Sequence, residues 1–260
     1  MKIVIITQED SFVIPRNIEK LIKLDFVKII KIIDVDSPQS LVNRKDLFIR
    51  GFGLYQSAKM GFRVISNKLI NIIDAVFNYR LPLNPRSLRS VAQKHKIPYQ
   101  QIGNPNEKRF IEELAALAPD LIVSYSAPLI FKKELLTLPE KGCINLHCSH
   151  LPDYAGVMPS FWTLYNKEKT TGVSVHYMDS KIDNGKILGQ KKVEIFPGET
   201  MFQLIEKTKN IGGDVMCEVL RNINSDTVIE KDNEVDRNKY FSWPTVENFK
   251  DFRNRGGRLI

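Results

Sequence analysis

The sequence is poor in cysteine, in long apolar runs and in clustered charge, and each shortage removes a class of protein. Its three cysteines, Cys143, Cys148 and Cys217, are odd in number and show no Cys-x-x-Cys spacing. That argues against a disulfide framework and a metal site, and it fits a reducing, cytoplasmic setting. No run of about twenty apolar residues occurs, so no transmembrane helix is expected. The opening MKIVIITQEDSF is too short in its apolar part for a signal peptide and reads as a strand. The net charge of +8 would attract nucleic acid, anionic membranes or phosphorylated substrates without naming any of them. The basic residues are dispersed, so a solvated basic surface is the expected reading. There is no G-x-G-x-x-G after the first strand and no P-loop, which argues against a dinucleotide or nucleoside triphosphate site of the usual form.

What is present is ordinary globular composition, 43% hydrophobic and 26% charged over 260 residues. KIVIIT (2–7) and VKIIKIIDV (27–35) read as strands buried on both faces, with a helix opened by Pro15 between them. Pro82, Pro85 and Ser87 lead into a helix over SLRSVAQKHK, followed by the strand-like IPYQQI. Asn104, Pro105 and Glu107 suggest the capped start of a helix. LIVSYS (121–126), a helix over 128–138 and the strand CINLH follow. TGVSVHYMD (171–179) and KILGQKKVEIF read as an antiparallel pair around the turn SKIDNG, with a long helix over 199–223. Alternation of strand and helix predicts an α/β fold: a Rossmann-like, open, mostly parallel sheet with helices on both faces. The domain is expected over 1–223, with a small C-terminal extension over 224–260. The stretch 54–77 has helical periodicity with basic residues between apolar ones, as an amphipathic helix lying on a membrane or a partner would. The simpler expectation is a surface helix packed on its own domain.

Open α/β sheets bind ligands beyond the carboxyl ends of their strands, where SYSAP and HCSHLP fall. Asn145 and His147 share one face of a strand, and Asp183 can approach if the hairpin packs beside it. An amide donor, an imidazole and a carboxylate suit acyl transfer to an amine. The amide steadies an oxyanion, the imidazole handles a proton and the carboxylate holds the imidazole. Taken singly, each residue also fits a structural role.

NLHCSHLPDYAGVMPSFW and TGVSVHYMDSKIDNG resemble the folate-dependent formyltransferase family, whose pattern runs N-x-H-x-S-L-L-P, T-G-V-T-x-H and D-x-G. The resemblance implies the formyltransferase fold, with 10-formyl-tetrahydrofolate as donor, no metal, and a primary amine as acceptor. By position it makes Asn145, His147 and Asp183 the catalytic trio. It places Ser126, Ala127, Pro128, Leu129, Ile130, His176 and Asp179 around the folate. His150 and Ala155 depart from the pattern. Met158, Pro159 and Trp162 resemble a stretch common in sugar formyltransferases, and Tyr154 could flank a sugar or base. The implied partner is therefore a small molecule, a nucleotide-linked amino sugar, rather than nucleic acid. Activity of the methionyl-tRNA or glycinamide ribonucleotide type is the alternative, as is hydrolysis of the formyl folate. The segments 41–83 and 224–260 leave a homodimer open.

Overall fold

The computed structural model describes residues 1–10, 12–36, 44–79, 81, 83–126 and 129–260. Pro82, Ala127 and Pro128, named above, lie outside the described residues. In the first half, β1 (Lys2–Thr7), α1 (Ile14–Ile22) and β2 (Lys28–Val35) lead to α2 (Arg44–Phe52) and α3 (Leu54–Val76). After them come α4 (Leu88–Lys94), β3 (Tyr99–Ile102), α5 (Lys108–Ala116), β4 (Leu121–Ser124), α6 (Lys133–Leu136) and β5 (Cys143–His147). The second half holds β6 (Ala155–Gly156), α7 (Pro159–Tyr165), β7 (Thr170–Tyr177), β8 (Ile187–Glu194), α8 (Met201–Asn224), β9 (Tyr240–Phe241) and α9 (Val246–Asn254).

Seven strands form one sheet in the order β3-β2-β1-β4-β5-β7-β8. The first five run parallel, and β7 is antiparallel to both β5 and β8. Side chains alternate across each strand, so β1 sends Ile3 and Ile5 to one face and Val4 and Ile6 to the other. The first face packs on α1, α4 and α8 through Ile18, Leu21, Val91, Val215 and Leu220. The second packs on α5 and α6 through Phe110, Leu114 and Leu135. This is the mostly parallel α/β sheet that the sequence predicted.

A smaller core joins α2, α7 and α9. There Phe161 meets Phe249 at 4.6 Å between ring centroids, and Phe52 meets Phe249 at 4.9 Å. Residues after 224 therefore contribute an aromatic helix that packs on the body.

Two local expectations are corrected. Helix α5 starts at Lys108, because Asn104 spends its side-chain oxygen on the Asn106 N–H (2.9 Å) and closes a turn one step earlier. The helix expected over 128–138 is only Lys133–Leu136 among the described residues.

Candidate active site

The parallel strand order reverses between β1 and β4, and a cleft of about 470 Å³ opens beyond the carboxyl ends of the strands there. The strand β5 supplies its floor. Cys143 is covered by α6, its thiol 3.7 Å from the Leu135 carbonyl. Two and four residues further along the same face, Asn145 and His147 reach the cleft. Strand β7 pairs with β5 so that His176 lies directly opposite Asn145. The loop between β7 and β8 carries Asp183 over them at φ +50°, a left-handed conformation an Asp tolerates. Gly185 closes that loop, because a Cβ there would lie 2.0 Å from the Tyr177 carbonyl oxygen. Asn233, from the segment after α8, donates to the Asp183 and Gly185 carbonyls at 2.7 and 3.0 Å.

The four polar side chains are nearly out of water. Asn145, His147 and His176 are 6%, 7% and 2% exposed. Each histidine has one nitrogen engaged by a backbone carbonyl and the other turned to Asp183. The Nε2 of His147 is 2.9 Å from the Tyr154 carbonyl, and its Nδ1 is 3.4 Å from Asp183 Oδ2. The Nδ1 of His176 is 2.7 Å from the Tyr177 carbonyl, and its Nε2 is 3.5 Å from Asp183 Oδ1. A carbonyl only accepts, so it assigns the N–H to the nitrogen facing it. The nitrogen beside Asp183 is then the one that gains or loses a proton. The Tyr154 carbonyl, rather than Asp183, thus fixes the tautomer of His147.

Asp183 also accepts the Gly156 N–H at 2.8 Å. Burial alone would push its carboxyl up. The charge of His147, the His176 contact and the Gly156 N–H together outweigh burial and bring it down to about 2. The Asn145 oxygen accepts the Ser126 N–H at 3.3 Å, and its Nδ2 lies 3.4 Å from His176 Nε2.

Most of the expected binding residues line this cleft. Ser126, Leu129, Ile130, His176 and Asp179 line it, together with the apolar Phe131, Met178 and Ile182. Met158 and Pro159 line it as well. Two expected residues do not line it. The Tyr154 ring stacks on Phe241 at 5.0 Å and its hydroxyl donates to Glu168 at 2.6 Å. Trp162 donates its indole N–H to the Ser242 carbonyl at 3.0 Å and packs against Phe161 and Phe241. Both are drawn away by the aromatic cluster that the C-terminal segment completes.

The cleft also holds residues that motif reading missed, chiefly Gln8, Ser160, Lys209 and Trp243. Lys209 forms a buried ion pair with Asp10, which follows β1. Burial alone would push the Lys209 ammonium down, but Asp10 outweighs it and keeps the lysine charged. An acid just past a central strand's carboxyl end and a lysine on the mostly buried helix α8 were the available signals.

A sequence profile of the formyl transferase family matches residues 50–220. The methionyl-tRNA formyltransferase of Clostridioides difficile (strain 630) is 34% identical over 172 residues, 65% of this chain and 53% of that protein. The bifunctional polymyxin resistance protein ArnA of Wigglesworthia glossinidia brevipalpis is 35% identical over 189 residues, 73% of this chain and 28% of that protein. The chain thus spans about half the length of the first relative and less of the second. An N-formyltransferase from Helicobacter canadensis, solved in complex with folinic acid and dTDP-3-aminofucose, shares the fold. Its TM-score is 0.61 at 18% identity, over 97% of this chain and 80% of that one. The profile covers well over half of the sequence and includes Asn145, His147 and Asp183, and the chain belongs to the formyl transferase family.

Proposed function

We propose that this protein transfers a formyl group from 10-formyl-tetrahydrofolate to the primary amine of a nucleotide-linked amino sugar. One observation carries the reading: an amide, two imidazoles and an ionised carboxylate converge at the end of β5 in a cleft with a partly apolar lining. That lining suits a flat heteroaromatic ring. Phe131, Met178 and Ile182 offer apolar walls, and Ser126 and Asp179 offer polar edges. Bound there, the folate supplies the activated formyl carbonyl.

The chain's own groups do the rest. Asn145 Nδ2 presents an N–H to the carbonyl oxygen as negative charge develops on it. His147, with Nε2 held by the Tyr154 carbonyl, exchanges a proton at Nδ1. Asp183 stays ionised and stabilises the cationic ring. His176 lies across from Asn145 and holds its amide in place. Met158 and Pro159 stand on the acceptor side.

The Helicobacter protein's bound folinic acid and dTDP-3-aminofucose support this pairing of donor and acceptor. Sequence identity to methionyl-tRNA formyltransferases favours a second reading, with charged tRNA as acceptor. The test is a competition. The protein and 10-formyl-tetrahydrofolate are incubated with amino-sugar nucleotides, methionyl-tRNA and glycinamide ribonucleotide, and products are read by mass spectrometry. A formylated sugar nucleotide is expected. Formyl-methionyl-tRNA alone would replace the acceptor, and formate without any formylated amine would replace transfer by hydrolysis.

A further inference from the structure

Helix α3 is built inside out. Its solvent face carries Leu54, Phe62, Ile65, Leu69, Ile72 and Val76, spaced by three, four, seven or eight residues and 55–76% exposed. At 100° per residue these positions fall within one stripe of about 80°. The opposite side is polar and turned to the protein. Gln56 accepts the Leu259 N–H at 2.5 Å, Arg63 pairs with Glu206 at 2.9 Å, and Asn67 and Asp74 are buried. The helix does lie on its own domain, as the simpler expectation for 54–77 had it, but through its polar side, the reverse of the usual arrangement.

We propose that this stripe docks on an anionic lipid surface. The rim of the stripe carries the argument. Lys59 borders it on one side and Lys68 on the other, both exposed. The only acid of α3, Asp74, is buried on the far side. An apolar band edged by lysines and free of exposed carboxylates matches the interface of an anionic bilayer, with the chains entering the acyl boundary and the ammonium groups meeting phosphates. A second copy of the chain would bring two more lysines to the same rim and no acid to meet them. No described helix is long and apolar enough to cross a membrane, so the contact is peripheral. The inference is independent of what the cleft transfers.

The test is flotation of the full chain with vesicles of phosphatidylcholine alone or with a third of the lipid replaced by phosphatidylglycerol. Binding to the anionic vesicles is expected to be about tenfold tighter than to the neutral ones, and to fall at high salt. The Leu69→Asp/Ile72→Asp variant should lose at least about tenfold in vesicle affinity, with an unchanged circular dichroism melt. Lys59→Gln/Lys68→Gln should lose about tenfold on anionic vesicles and almost nothing on neutral ones. Light scattering on the same samples reads self-association. No vesicle binding, binding indifferent to lipid charge, or stripe-dependent dimers that do not float would each overturn the proposal.

Discussion

The end of β5 and the helix α3 break the same rule in opposite directions. On β5 and β7 three polar groups, Asn145, His147 and His176, are buried where strands would carry apolar ones, and on α3 a row of large apolar groups is exposed where a helix would carry polar ones. Burying polar groups costs free energy unless they are paired, and the β5 group is paired throughout: carbonyl to imidazole, imidazole to carboxylate, amide to imidazole. Among the described residues, nothing covers the α3 stripe, whose side chains stay 55–76% exposed. The first pattern is what the proposed catalytic trio needs, and the second is what the proposed lipid contact needs.

The largest effects are expected where the buried network is broken. Asp183→Asn should lower turnover by roughly 10³–10⁴-fold, measured under saturating folate, because the basic nitrogens of both histidines lose their carboxylate. Asn145→Ala should cost roughly 10²–10³-fold in kcat through loss of the oxyanion donor. If either variant kept near wild-type turnover, the assignment of the trio would fail.

The same carboxylate has a signature in stability. Its folded pKa of about 2 lies below the ordinary carboxylate value, so its stabilisation is present above about pH 4 and is lost as pH falls toward 2. The shift corresponds to about 2 kcal/mol. Urea unfolding of wild type and Asp183→Asn between pH 5 and 2 should show the steeper loss only in wild type.

Gly156→Ala tests how the site is held. Gly156 sits at φ +97°, and a Cβ there would lie 2.2 Å from the Phe241 carbonyl oxygen. The strain should cost about 1–3 kcal/mol and displace the N–H that Asp183 accepts, so both the melting temperature and kcat should fall. The smallest effect belongs to the other region. Leu69→Asp/Ile72→Asp should change stability by no more than about 0.5 kcal/mol per site and leave turnover on a soluble acceptor unchanged. A large loss of stability would mean that α3 is packed, and the contrast would dissolve.

The fold was legible wherever periodicity and hydrophobicity agreed. The strands β1 and β4 are near-continuous apolar runs, and they sit inside the parallel part of the sheet. Asn145 and His147 were legible as neighbours because two residues along a strand share a face. Their meeting with Asp183 was not, because it depends on β7 pairing antiparallel to β5, a long-range event. Tyr154 and Trp162 misled for the same reason. Their partners, Phe241 and Ser242, lie about 80 residues away from Trp162, and local spacing does not reach across that distance. On α3 the periodicity was visible, but periodicity gives the spacing of an apolar stripe and not the direction it faces.

The most direct test of the central claim is a calorimetric titration of the protein with 5-formyl-tetrahydrofolate, run beside Met178→Asp, which places a charge among the apolar residues that line the cleft. The account predicts micromolar binding by the wild type and its loss in a folded Met178→Asp variant. A folded wild-type protein that does not bind, or binding that survives the added charge, would contradict it.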